Sequence, residues 1–185
     1  MKALYRDRFK WLILLLTTFA VALGGVAVAG NPHFLLKKTV ARLETVDPIA
    51  EKVELLMRGE LGGLGWEEPI KVKASSEVSA CFACMNNAGN FPDAFNKEEI
   101  TGPEDETVEV VADTKGRAEP AIPLKLKKIK EQVRLVCPQG QKRVLKRARF
   151  KKLMMEVEAL ELRSDATPSA IEVEPFPEEG DGELP

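Results

Sequence analysis

The stretch IKVKASSEVSACFAC, residues 70–84, decides the fold. Its even positions are Ile70, Val72, Ala74, Ser76, Val78, Ala80, Phe82 and Cys84. Its odd positions are Lys71, Lys73, Ser75, Glu77, Ser79, Cys81 and Ala83. One parity is nearly all apolar and the other mainly polar. Successive side chains of an extended chain point to opposite faces, so this is the period-two mark of a half-buried strand.

The same period recurs on both sides. Val53, Leu55 and Met57 share a parity, and residues 107–112 (TVEVVA) run into the turn-like Asp113-Thr114-Lys115-Gly116. Residues 124–127 alternate, and in 132–137 Val133, Leu135 and Cys137 share one face. Residues 143–162 carry two signals. Ala148 and Phe150 alternate with Arg147, Arg149 and Lys151, a pattern that sets Leu145 on the basic face. Beyond them KKLMMEVEALEL is rich in helix formers yet also alternates. The period favours a strand with a bulge near Lys151-Lys152, with a helix over 153–162 as the competing reading. Several short strands between Gly, Pro, Asn and Asp punctuation predict an all-β fold, an antiparallel β-sandwich spanning residues 30–162.

The ends differ in composition. Lys2, Arg6, Arg8 and Lys10 outweigh Asp7, and residues 11–29 (WLILLLTTFAVALGGVAVA) carry no charge. A basic flank, an apolar run and Ala27-Val28-Ala29 before Gly30 predict a signal peptide over residues 1–29. The run is also long enough for an uncleaved membrane anchor. Either way the basic flank stays inside and the rest is translocated. The expected location is therefore secreted or extracellular, with a single-pass protein facing outward as the alternative. Membrane contact is expected through residues 11–29 alone. Residues 163–185 carry one basic and seven acidic residues. A segment so poor in large apolar side chains predicts a disordered acidic tail.

There are three cysteines. In an oxidising compartment a disulfide is expected, and three thiols leave one over. Cys84 lies on the apolar parity of its strand and Cys137 on that of its own. The predicted bond is Cys84–Cys137, with Cys81 a free thiol on the polar face. Cys81 and Cys84 also form a CxxC pair, which raises a thiol-redox reading. Redox pairs of this kind sit at a helix start, whereas here three residues of strand put the two sulfurs on opposite faces. A zinc site needs about four ligands, and beyond the cysteines there is one histidine, His33. No metal and no cofactor are expected.

Residues 83–103 (ACMNNAGNFPDAFNKEEITGP) and Cys137-Pro138-Gln139-Gly140-Gln141 carry a further signal, with Gly63-Leu64-Gly65 and His33-Phe34 upstream. In order and rough spacing they resemble a family of small secreted bacterial proteins of unknown function, common in actinobacteria. The resemblance covers about residues 32–162. It implies a secreted, disulfide-linked β domain with Cys84 and Cys137 paired. Cys81, the many charged strand residues and the acidic tail depart from the family pattern.

Residues 141–152 (QKRVLKRARFKK) hold Lys142, Arg143, Lys146, Arg147, Arg149, Lys151 and Lys152, seven cations in twelve positions. Such a stripe suits an anionic polymer, a cell-wall polymer for example, or a solvated face that discourages strand-to-strand association. Nucleic acid is not expected, because stacking aromatics are missing apart from Phe150 on the other parity. The Asn/Gly/Pro loop 86–96 suits either a recognition surface or plain turns. His33 sits beside the export segment, a poor place for a catalytic base. The chain is therefore read as a non-enzymatic envelope or extracellular domain with a binding or structural role. The alternatives are an anchored protein holding an anionic polymer through residues 142–152 and, more weakly, a thiol-redox protein using Cys81 and Cys84.

Overall fold

The computed structural model describes residues 30–35, 39–65, 69–91 and 96–176. The expected signal peptide or anchor over residues 1–29 and residues 177–185 lie outside the described residues. The elements in chain order are β1 (His33–Phe34), β2 (Thr39–Asp47), β3 (Lys52–Arg58), β4 (Leu61–Gly62), β5 (Pro69–Asn86), β6 (Lys97–Val111), β7 (Ala121–Lys125), helix α1 (Lys127–Gln132), β8 (Gln141–Val157), a 3-10 turn (Glu158–Leu160), β9 (Leu162–Thr167) and β10 (Ala170–Val173).

β5 realises the period-two pattern almost to the letter. Val72, Ala74, Ser76, Val78, Ala80, Phe82 and Cys84 are buried, and the residues between them stay partly exposed as far as Cys81. Val53, Leu55 and Met57 of β3 face the same core. Eight of the strands form one curled, nearly closed sheet in the order β6-β5-β8-β9-β2-β3-β7, with β10 added along β8, and β1 pairs with β4 apart from it. The expectation of two facing sheets is corrected here. β5 and β8 are 18 and 17 residues long, and they carry the sheet around the core without a break. Among the described residues the antiparallel rule has one exception, the short parallel contact of β2 with β9 through Thr39–Ala166 and Val40–Thr167.

The strand reading of 143–162 holds as far as Val157 and the helix does not form. Two bulges in β8 explain its mixed signal. Phe82 pairs with Leu145 and Cys81 with Arg147, so Lys146 is an extra residue. Ser75 pairs with Met154 and Glu77 with Lys151, so two residues, Lys152 and Leu153, stand opposite Ser76. Lys152 has φ 52°, a left-handed backbone that fits a bulge. Each extra residue switches the core-facing parity. The positions that join the main core therefore run Leu145, then Ala148 and Phe150, then Leu153, Met155 and Val157. Leu145 belongs to the core and not, as alternation alone implied, to the basic face.

The strand expected over 132–137 is replaced by α1 and an extended segment. Its backbone donors go to carboxylates of β6 instead of to a ladder. Ile129 N–H donates to Glu104 Oε1 at 2.7 Å, and Arg134 and Leu135 N–H donate to Glu98 Oε2 at 2.8 and 2.6 Å. α1 packs against β6 and buries Ile129 in the core, and β6 and β7 contact each other directly. Gly102 leaves room for it, since a Cβ there would meet Ile129 Cδ1 at 3.3 Å.

Strands β9 and β10 lie largely within the stretch expected as a tail from residue 163. β9 pairs with β8 through Leu162–Val157 to Asp165–Met154, and β10 continues along the same edge from Ala170–Lys151 to Val173–Ala148. Between them a cis Thr167-Pro168 bond lies opposite the Lys152 bulge. Ser164, Ala166 and Val173 are buried, so this acidic stretch provides core positions, two of them apolar, that net charge conceals.

Candidate functional site

The two cysteines of the CxxC pattern separate across β5. Cys84 is buried and bonded to Cys137, with Cα atoms 5.5 Å apart and a sequence separation of 53. Cys137 lies in an extended segment and not in a strand, yet it still presents its sulfur to Cys84. Cys81 is a free thiol, half-buried, on the opposite face. Cys81 and Cys84 therefore do not form a redox pair in this fold. Among the described residues no group of three or more His, Cys, Asp or Glu side chains is placed to hold a metal ion.

Sheet register decides what surrounds Cys81. It stands opposite Glu99 of β6 on one side and Arg147 of β8 on the other. Ser79 Oγ donates to Glu99 Oε1 at 2.8 Å, and Arg147 Nη2 lies 3.8 Å from the same oxygen. The Lys146 bulge turns that side chain outward, and its Nζ lies 5.4 Å from the centre of the Phe91 ring. Phe91 meets Phe176 edge-to-face, with ring centres 5.3 Å apart and an interplanar angle of 74°. Cys81, Lys97, Glu99, Lys146, Arg147, Glu174 and Phe176 together line a cleft of about 290 Å³. Burial pushes the Cys81 thiol above its usual range, and the Arg147 guanidinium partly offsets that effect. The cleft therefore holds a neutral thiol among mixed charges.

The basic residues of β8 do not form a uniform cationic stripe. Arg143 is bidentate to Glu51, with Nη2 3.0 Å from Oε2, and lies 5.9 Å from the centre of the Phe82 ring. Lys130 Nζ is 3.8 Å from the same carboxylate, and Leu145 N–H donates to Pro48 O at 2.9 Å. Arg143 thus fastens the β2–β3 turn to β8. The carboxylate holds the Arg143 guanidinium more firmly protonated than usual. Arg149 lies 3.7 Å from Glu172, and Lys152 Nζ is 2.6 Å from Glu77. The Lys152 ammonium lowers the Glu77 carboxyl below its usual range. Lys142 and Lys151 are exposed and make no ion pair among the described residues. The reading of seven cations as one binding surface missed these cross-strand carboxylates. They come from three other strands and the β2–β3 turn, so only register shows them.

Glu104 also escaped sequence reading. Its carboxyl is buried, caps α1 and is pushed above its usual range by desolvation, which outweighs the backbone hydrogen bonds it accepts. In the sequence it is one acid among the five in residues 98–106.

No family model and no curated protein matches the chain. Among solved structures, the crystal structure of Bacteroides uniformis β-glucuronidase is similar at 11% identity with a TM-score of 0.31. The likeness covers 78% of this chain and 14% of that one, and at this level it carries no argument.

Proposed function

We propose that the chain is an exported, non-enzymatic β domain of the cell envelope or extracellular space, with a binding or structural role. The observation that carries this reading is the Cys84–Cys137 bond. It lies downstream of a basic flank and an uncharged run over residues 11–29, and such bonds persist in oxidising compartments. The resemblance to small secreted bacterial proteins supports the same location. The non-enzymatic part rests on the outer carboxylates. Glu77, Glu99, Asp105 and Glu109 each face a cation across the sheet, an arrangement that laces a surface together. N-terminal sequencing of the exported material is expected to begin at Gly30. Recovery of the chain only from the cytoplasm, with Cys84 and Cys137 reduced, would contradict the proposal.

A second reading is an anchored protein that contacts an anionic polymer. The exposed Lys142 and Lys151 favour it, and the ion pairs of Arg143, Arg147, Arg149 and Lys152 confine it to a few contacts. Retention on a teichoic-acid or heparin column, lost on Lys142→Glu with Lys151→Glu, tests it. Retention unchanged by that double variant removes β8 as the contact.

A further inference from the structure

We propose that residues 174–176 form a latch over the outer face of β5 and β8, held shut by the Phe91–Phe176 contact, and that its opening governs access to the Cys81 cleft. The latch starts from a fixed point, because Val173 at the end of β10 is buried and pairs with Ala148. Beyond it Glu174 and Phe176 form one wall of the cleft. Phe176 is the sole aromatic residue after Phe150.

Its partner Phe91 follows a tight, self-bonded loop. Asn86 Oδ1 accepts from the N–H groups of Ala88 and Asn90 at 3.0 and 2.9 Å. Asn86 N–H donates to Asn90 O at 3.0 Å, and Gly89 N–H donates to Asn86 O at 3.1 Å. One half of the clasp is therefore braced by its own hydrogen bonds. The other half is three residues hung from a four-residue strand. Elements with so few backbone anchors open locally before the core does. An edge-to-face pair is worth enough to hold such an opening closed by about tenfold. The groups facing Cys81 are Arg147, Glu99, Lys146, Lys97 and Glu174, and they remain in place when the latch lifts, Glu174 excepted.

The test is the rate at which iodoacetamide alkylates Cys81 in the full chain held in mild detergent without reductant. The thiolate sulfur forms the bond to carbon, iodide leaves, and the thiol proton goes to solvent. Phe176→Ala is expected to speed alkylation about tenfold, and Phe91→Ala to match it. The double variant should be no faster than either single one, since all three break one contact. The pH midpoint of the rate should fall in the alanine variants, because the raised thiol pKa comes first from burial. Phe176→Tyr should react like the parent chain, and denaturation midpoints should stay within the range of ordinary surface substitutions. Equal rates and midpoints for parent and Phe176→Ala would overturn the proposal. So would single-variant effects that add in the double variant.

Discussion

β5 and β8 lie side by side through the middle of the sheet and are almost equal in length. β5 keeps one parity toward the core from Val72 to Cys84, while β8 changes parity twice, at Lys146 and at Lys152. The difference is one of insertion and not of composition. Both strands alternate apolar and charged residues, but a single extra residue moves every later side chain to the other face. β5 thereby carries a disulfide on its core face and a thiol on its outer face. β8 uses its two extra residues to turn Lys146 and Lys152 outward, toward Phe91 and Glu77.

The sharpest way to break this comparison is to treat Leu145 and Arg147 as equivalent, as uninterrupted alternation would. Leu145→Asp buries a carboxylate in the core and should cost at least about 4 kcal/mol in chemical denaturation. Arg147→Asp should cost far less, since that side chain is partly exposed and paired with an exposed Glu99. Similar losses for the two would show that the Lys146 bulge is absent. Next in size is the two-faced nature of β5. Cys84→Ser opens a loop of 53 residues' separation and should cost about 4 kcal/mol by chain entropy. Cys81→Ser should stay within about 0.5 kcal/mol.

Glu104 gives a smaller, pH-dependent effect. Its folded pKa is raised above the ordinary 4.5, so the unfolded chain ionises first as pH rises. The favourable contribution of the neutral acid is complete below 4.5 and is lost as pH climbs through the raised value. Glu104→Gln should match the parent in acid and become the more stable of the two at neutral pH, seen in denaturation curves at both. A parent chain that gains on the variant as pH rises would reverse the assignment. The smallest effect belongs to Lys152→Gly. Glycine suits the φ of 52° at the bulge, so the denaturation midpoint should rise slightly despite the lost contact with Glu77.

Much of this architecture is legible in the sequence where parity is unbroken. The core faces of β3 and β5, with Cys84 on the latter, follow from alternation, and Lys151-Lys152 marks a bulge by interrupting it; Cys137 reaches Cys84 from an extended segment and not from the strand expected there. The closure of the sheet is not legible. It brings β6 against β7, strands far apart in sequence, and the carboxylates that hold α1 and its extension are Glu98 and Glu104 on β6. The Cys81 cleft was half legible. Alternation placed the thiol on the polar face, but Arg147 and Glu99 reach it through register and Phe176 through β10. That last strand lies in a stretch whose acidic composition masked three buried positions, Ser164, Ala166 and Val173.

The central claim is that β5 holds a bonded sulfur on one face and a free one on the other. Alkylating the purified chain without reductant, then digesting it and mapping its peptides, tests this most directly. The account predicts Cys84 linked to Cys137 and the alkyl group on Cys81. A Cys81–Cys137 or Cys81–Cys84 peptide would contradict it.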